Sequence, residues 1–203
     1  MLLVCCALLA ACNPLPVYNP VNSENMVGRS VLVLEPSYIP PVSKELHTRI
    51  MNEVESRLQE FPHVGRVVTR KEFNALVKKN RRLRRSYRLL SDTLSVVGFP
   101  DQETASHLGK MQNVEMIVAA QLFYIPCEFC EGSNQLALLF YLVEAETGKI
   151  LWRADFSESV SGDDLQLRSE EADDLVEALF DALDEDLRPK WQRLRFKQLA
   201  QRG

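Results

Sequence analysis

The most apolar part of the chain runs from Val114 to Val160, and its pattern predicts three consecutive β-strands. Residues 114–125 and 135–145 are apolar almost without interruption, as is typical of strands buried on both faces of a sheet. Residues 149–160 alternate between apolar and polar side chains, which favours a strand near the sheet edge with one face partly wet. The predicted apolar face of this third strand consists of Ile150, Trp152, Ala154 and Phe156.

Two turns connect these strands and make them antiparallel neighbours. Residues 146–149 contain Gly148, which adopts a positive φ angle without the clash that a Cβ atom would cause, so a tight hairpin is expected there. The connection between the first two strands is longer and contains Gly132 and Asn134. The sequence therefore predicts an antiparallel meander that forms half of a sheet.

The chain before the meander predicts short strands that alternate with helices. Residues 30–36 and 64–69 are short apolar strands, and the helix between them is expected to begin near Ser43 and to end at Pro62. The next helix should continue without a break from the capping box at Thr69 to about Leu94, because the apolar spacing persists.

A further helix is expected to begin near Asp101, and a last helix follows the meander from about Leu167 to Leu187. The predicted element order is β-α-β-α-α-β-β-β-α. We predict an α/β (α+β) fold, a two-layer sandwich in which helices pack on a mixed sheet of about five strands. Residues 30–187 form this single domain.

A basic stretch lies within the second predicted helix. Seven of the eleven residues from Lys78 to Arg88 are basic. One interpretation is a solvated helix face, and the other is a surface that binds an anionic partner such as lipid headgroups, lipopolysaccharide, cell-wall polymer or an acidic protein. The candidate partner-binding residues are Lys78, Lys79, Arg81, Arg82, Arg84, Arg85 and Arg88.

The last helix is apolar on one face and acidic on nearly all of the other. Its carboxylates are interpreted either as a solvated face or as partners of the basic stretch, in the same chain or in a neighbouring one. They lack the glycine and the ligand spacing of an EF-hand calcium loop. Pro189 ends the helix, and residues 188–203 form a basic helix or tail.

Composition narrows the classes of function. The net charge of −4 gives no overall nucleic-acid signature, and 46% hydrophobic and 26% charged residues are ordinary for a globular protein. The chain has no Gly-x-Ser-x-Gly, P-loop, Gly-x-Gly-x-x-Gly or His-Glu-x-x-His motif, and its three histidines are isolated in sequence. We therefore expect no enzymatic activity, no cofactor, no metal site and no small-molecule substrate.

The first twelve residues, MLLVCCALLAAC, end in Leu-Ala-Ala-Cys after an apolar run. This resembles the bacterial lipobox, which implies a signal peptide at residues 1–11 and a diacylglycerol and palmitate anchor on Cys12. Residues 12–29 would then be a flexible tether. No Lys or Arg precedes the apolar run, which departs from the signal-peptide pattern, so a buried strand or a chance match stays open. Residue 13 is not Asp, and by resemblance this favours the outer membrane.

Cys127 and Cys130 remain as an even pair if residues 1–11 are removed and Cys12 is acylated. In an oxidising compartment a disulfide between them would stabilise the fold by roughly 2 kcal/mol. A zinc site, a thioredoxin-like redox pair and two free thiols are the alternatives. We predict the disulfide.

Four segments in chain order resemble a known domain. These are the strand at Ser30–Leu34, the strand-to-helix step at Val64–Phe73, the helix-to-strand step at Leu108–Val118 and the Thr-Gly-Lys-Ile-Leu-Trp hairpin at Thr147–Trp152. They resemble the periplasmic domain shared by the curli-export lipoprotein, the penicillin-binding-protein activator lipoproteins and the amino-terminal domain of the Tol propeller protein. The resemblance covers roughly residues 30–187.

This resemblance implies a lipid-anchored outer-membrane protein that faces the periplasm and acts without catalysis. It would serve as an accessory or assembly factor that binds other envelope proteins, with the membrane as a further partner through its anchor. The alternative is a homo-oligomer, as a subunit of a ring in a secretion or motility machine. Nucleic acid is not expected as a partner.

Overall fold

The computed structural model describes residues 28–34, 42–125, 133–161 and 169–187. Cys12, Cys127 and Cys130 lie outside the described residues. The same holds for the signal peptide, nearly all of the tether, and residues 188–203. The lipid anchor, the disulfide and the basic tail therefore stay predictions.

The described residues form ten elements in the order β1-α1-β2-α2-α3-α4-β3-β4-β5-α5, which is the predicted order with one additional helix. The strands are β1 (Arg29–Val33), β2 (Val64–Val68), β3 (Met116–Ile125), β4 (Ser133–Glu144) and β5 (Ile150–Ser161). The helices are α1 (Lys44–Glu60), α2 (Arg70–Lys79), α3 (Arg81–Val97), α4 (Gln102–Gln112) and α5 (Ser169–Leu187).

The five strands form one mixed sheet with the order β2-β1-β3-β4-β5. Strand β1 pairs in parallel with both β2 and β3, and β3, β4 and β5 form an antiparallel meander. The predicted α/β fold, the mixed sheet and the position of the third meander strand at an edge are thereby confirmed. At the β4–β5 turn Gly148 has a φ of 68°, as the predicted hairpin requires, and its amide donates to the Glu144 carbonyl at 2.9 Å.

One detail of the β5 prediction is wrong. Leu142 pairs with Trp152 and Val143 pairs with Ile150, so Leu151 is an extra residue in a bulge. The bulge shifts the pleat by one residue. Ile150 therefore packs on the opposite face of the sheet from Trp152, rather than on the same face.

Helices cover both faces of the sheet, which corrects the expected two-layer sandwich to three layers. One core lies between the sheet and helices α1 and α5, and the other lies between the sheet and helices α2, α3 and α4. In β3, residues 116–120 are all buried, so side chains on both faces are removed from water. Strands that are apolar on both faces require helical cover on each.

The single helix predicted between Thr69 and Leu94 is interrupted at Asn80. The Asn80 backbone is extended, with φ −120° and ψ 110°, and its amide donates to the Leu76 carbonyl at the end of α2. Its side-chain oxygen accepts from the amides of Arg82 and Leu83 at 3.0 and 3.1 Å, which caps the start of α3. One residue therefore ends one helix and begins the next.

Candidate functional site

Four arginines of α3 form an exposed cationic surface, which we call the arginine face. It consists of Arg81, Arg84, Arg85 and Arg88, which line a cleft of about 320 Å³. Their spacing of three and four residues places them on one side of the helix. The opposite side carries Leu83, Leu90 and Leu94, which are buried against the sheet. Packing of this apolar stripe turns the arginines towards solvent.

The other three predicted basic residues lie close to the arginine face along the chain. Lys78 and Lys79 are exposed at the end of α2, and Arg82 is exposed on the side of α3 that faces a neighbouring groove. All seven are therefore solvent-facing. Because α2 and α3 meet at Asn80, the break brings both lysines to the amino-terminal end of α3.

Arg84 has a structural contact in addition to its exposure. Its Nη2 atom donates to the Lys78 carbonyl at 2.7 Å, and its Nε and Nη2 atoms reach the Val77 carbonyl at 3.4 Å. These carbonyls belong to the last turn of α2, where helices leave acceptors unsatisfied and favour a positive charge. Arg84 therefore holds the α2–α3 junction, and only part of its donor capacity remains for a partner.

A polar groove of about 1060 Å³ separates α3 from α4 beside the arginine face. Within it the Ser86 hydroxyl lies 2.8 Å from Nδ1 of His107. Arg82 and Arg85 line one side, and carboxylates such as Glu103 lie on the other. The sequence treated His107 as isolated because Ser86 is 21 residues away. The contact satisfies the imidazole and joins two helices.

The acidic helix lies on the other side of the sheet from the arginine face. Asp173 accepts from Nη2 of Arg49 at 2.6 Å, and Asp186 accepts from the indole of Trp152 at 2.9 Å. Contacts of α5 are therefore with α1 and with the sheet. Of the two interpretations of the acidic helix, pairing with the basic stretch within one chain does not occur among the described residues, because α3 and α5 lie on opposite faces of the sheet. Pairing between chains stays an open alternative.

The carboxyl-terminal end of α3 exposes a second feature, which we call the apolar tip. It consists of Val96, Val97 and Phe99, all of which are exposed. Gly98 between them is left-handed, with a φ of 74°, and its amide donates to the Leu94 carbonyl. Apolar periodicity does not single out these three residues, because only the fold shows which apolar side chains stay uncovered.

A third concave region, of about 540 Å³, lies where β1, β3 and β4 meet the end of α4. Its carboxylates are engaged by neighbouring groups. Glu115 accepts from the Ser30 amide at 3.0 Å, and Glu144 forms an ion pair with Arg29 at 3.4 Å. The Thr147 hydroxyl donates to Glu144 at 2.6 Å, and this hydrogen bond chiefly holds the pKa of Glu144 below its usual value. These contacts stabilise strand ends.

Neither a bilayer-crossing helix nor a metal-binding cluster occurs within the described ranges. Among the helices that the structure describes, none is long and apolar enough to cross a bilayer. The described residues also contain no cluster of three or more His, Cys, Asp or Glu side chains able to hold a metal ion.

No protein-family model matches the chain, and no curated protein matches it. Among solved structures it is similar to hypothetical protein CT253 from Chlamydia trachomatis, with 13% identity, a TM-score of 0.50 and coverage of 79% of this chain and 98% of that one. It is also similar to lipoprotein GNA1162 from Neisseria meningitidis, with 14% identity, a TM-score of 0.48 and coverage of 77% of this chain and 96% of that one. A third similar structure is the PelC dodecamer from Paraburkholderia phytofirmans, with 11% identity, a TM-score of 0.47 and coverage of 83% of this chain and 94% of that one.

Identities this low establish the fold and leave function to the residues. The α/β fold that the resemblance implied is the fold that this chain shares with hypothetical protein CT253.

Proposed function

We propose that this chain is a non-enzymatic lipoprotein of the outer membrane, faces the periplasm, and assists envelope assembly by binding other envelope proteins. The observation that carries the proposal is the arginine face, an exposed cluster of guanidinium groups on one helix. The lipobox-like sequence that ends at Cys12 supports the location. The absence of a catalytic motif from the sequence supports a binding role.

The arginine face has the chemistry of a surface for acidic groups. A guanidinium group binds a carboxylate through two parallel hydrogen bonds, and it is more weakly hydrated than an ammonium group. Several such groups on one helix raise the rate of encounter with an acidic patch and fix its orientation. Exposed charges are screened beyond about 8 Å at physiological salt, so binding should weaken as salt is added.

The test is partner capture from the native envelope by crosslinking and mass spectrometry. In the test variant Arg81, Arg85 and Arg88 are changed to Glu, and Arg84 is kept because it caps α2. The control variant carries Lys44→Glu, Arg66→Glu and Lys71→Glu, which alter the net charge equally at exposed positions away from the arginine face. We expect the test variant to lose the main crosslinked proteins and the control to keep them.

Equal capture by both variants would contradict the assignment of the arginine face. The location is tested separately, by incorporation of labelled palmitate and by fractionation of Cys12→Ser. A variant that stays in the parent's membrane fraction would contradict the anchor.

Assembly into a ring is the second candidate, and a different observation favours it. Basic and acidic surfaces lie on opposite sides of the sheet, so the α3 side of one copy is complementary in charge to the α5 side of the next. Contacts between two different surfaces of identical chains propagate head to tail and close into rings. A stable monomer of acyl-free protein at micromolar concentration would count against this candidate.

A further inference from the structure

The apolar tip is the most exposed group of large apolar side chains in the described ranges. Val96 is 84% exposed, Phe99 is 68% exposed and Val97 is 63% exposed. Single exposed apolar residues are common on soluble proteins, but three within four positions form a contiguous patch. The patch lies at the end of α3, where the left-handed Gly98 leads the chain towards α4.

The apolar tip continues the arginine face along the same helix. Arg81, Arg85, Leu89, Asp92 and Val96 follow one another at intervals of three or four residues, and all are exposed. They lie on one side of α3. The strip is therefore cationic at its amino-terminal end and apolar at its carboxyl-terminal end.

Two carboxylates lie near the apolar tip in sequence, and they offset only part of the positive charge on this side of the molecule. Asp92 lies within the strip. Asp101 accepts from the Thr104 amide at 2.8 Å as the cap of α4, and hydrogen bonds from Thr104 lower its pKa. The seven basic residues from Lys78 to Arg88 outnumber these two carboxylates.

We propose that this strip is a lipid-contacting surface: the apolar tip enters the interface of an anionic bilayer, and the arginines nearest to it bind lipid phosphates. Exposed apolar side chains beside guanidinium groups match a bilayer interface, where acyl chains lie directly beneath anionic phosphates. Val96 lies about 12 Å along the helix axis from Arg88, at 1.5 Å per residue. Interfacial helices bury their apolar side by about 5–10 Å, so a long arginine side chain on an inclined α3 reaches the phosphate layer.

This inference goes beyond the proposed function because an anchor at Cys12 fixes the distance of the domain from the membrane and not its orientation. Contact through the apolar tip would fix the orientation as well. The carboxyl-terminal end of α3 would then point towards the bilayer, and its amino-terminal end with Arg81 and Arg85 would stay open to protein partners.

The test measures lipid contact at position 99 by tryptophan fluorescence. Full-length chain with a carboxyl-terminal histidine tag is held on vesicles by a nickel-chelating lipid, so the result does not depend on acylation of Cys12. The vesicles contain phosphatidylethanolamine and phosphatidylglycerol with brominated acyl chains, which quench tryptophan on contact. The probe is Phe99→Trp, and the control is Gln59→Trp, an exposed position on α1.

We expect at least about twofold stronger quenching for Phe99→Trp than for Gln59→Trp. Adding Val96→Asp, or replacing phosphatidylglycerol with phosphatidylcholine, should reduce the quenching at position 99 to the control level. Equal quenching at both positions overturns the proposal. Burial of position 99 by envelope proteins, without quenching by lipid, overturns it as well. Quenching that is unchanged in neutral vesicles overturns the role of the arginines. Partner capture by Val96→Asp should remain normal, which separates this proposal from the proposed function.

Discussion

Arg70 joins the two helical layers around the edge of the sheet. It lies at the start of α2, yet its Nη2 atom donates to Asn52 of α1 at 2.6 Å and its Nε atom lies 3.2 Å from Glu55 of α1. The Arg70 and Glu55 side chains are only 9% and 14% exposed. Removing one partner of an ion pair this sheltered is costly, since the other charge is then left without its counter-ion.

Glu55→Gln should therefore lower the free energy of unfolding by about 2–3 kcal/mol, because Arg70 would keep its charge and lose the carboxylate. The measurement is urea denaturation followed by circular dichroism. Glu53→Gln on the same helix is the matched control. Glu53 pairs with Arg57 at the exposed surface, where ion pairs contribute little. Equal losses for the two variants would contradict the special position of Glu55.

The individual helices and strands show how much of the fold apolar periodicity can predict. The pattern predicted all five strands and most of the helix bounds. Strands buried on both faces read as apolar runs, a half-buried strand has a period near two, and a half-buried helix has a period near 3.6. It missed the break at Asn80 because Val77 and Leu83 pack in the same core on either side of it. It missed the bulge at Leu151 because one inserted residue leaves the composition of the strand unchanged.

The β4–β5 hairpin gives a pH-dependent prediction. The Thr147 hydroxyl chiefly holds the pKa of Glu144 below its ordinary value, burial opposes this effect, and the Arg29 guanidinium lowers the pKa further by a smaller amount. A depressed folded-state pKa stabilises the fold above the unfolded pKa of about 4.3, and the contribution is lost as the pH falls through the folded value. The side chain is a quarter exposed, so we expect less than about 1 kcal/mol.

Thr147→Val removes the hydroxyl and should weaken this dependence. We expect the variant to be less stable than the parent at neutral pH and to approach the parent as Glu144 becomes protonated. Denaturation midpoints measured from pH 7 down to about pH 3 follow the difference. A difference in stability that stays constant over this range would show that Glu144 is not responsible.

Among the described residues, the basic helix α3 and the acidic helix α5 lie on opposite faces of the sheet, and the sequence revealed only the two charged segments. Their placement on opposite sides depends on which sheet face each helix covers. The expected two-layer sandwich placed helices on one face only, so it did not predict that the two helices lie on opposite faces. With three layers, α3 and α5 lie back to back across the sheet. The candidate surface could thus be identified by residue from the sequence, but not oriented relative to the acidic helix.

Head-to-tail association is the prediction at this scale, and two complementary variants test it. In the first, Arg81, Arg85 and Arg88 become Glu, so both sides of the molecule are acidic. In the second, the exposed residues Asp174, Glu177 and Asp181 of α5 become Lys, so both sides are basic. Neither variant should associate with itself, because the facing surfaces then carry like charges.

An equimolar mixture should associate again, since each copy of one variant then meets opposite charge on both sides. Sedimentation of acyl-free protein at low and high salt measures the outcome. Association of the mixture should disappear at high salt, because exposed pairs are screened over about 3 Å at 1 M ionic strength. If the parent, both variants and the mixture all sediment as monomers, the charge segregation serves different partners on the two sides, and the proposed accessory role remains the better account.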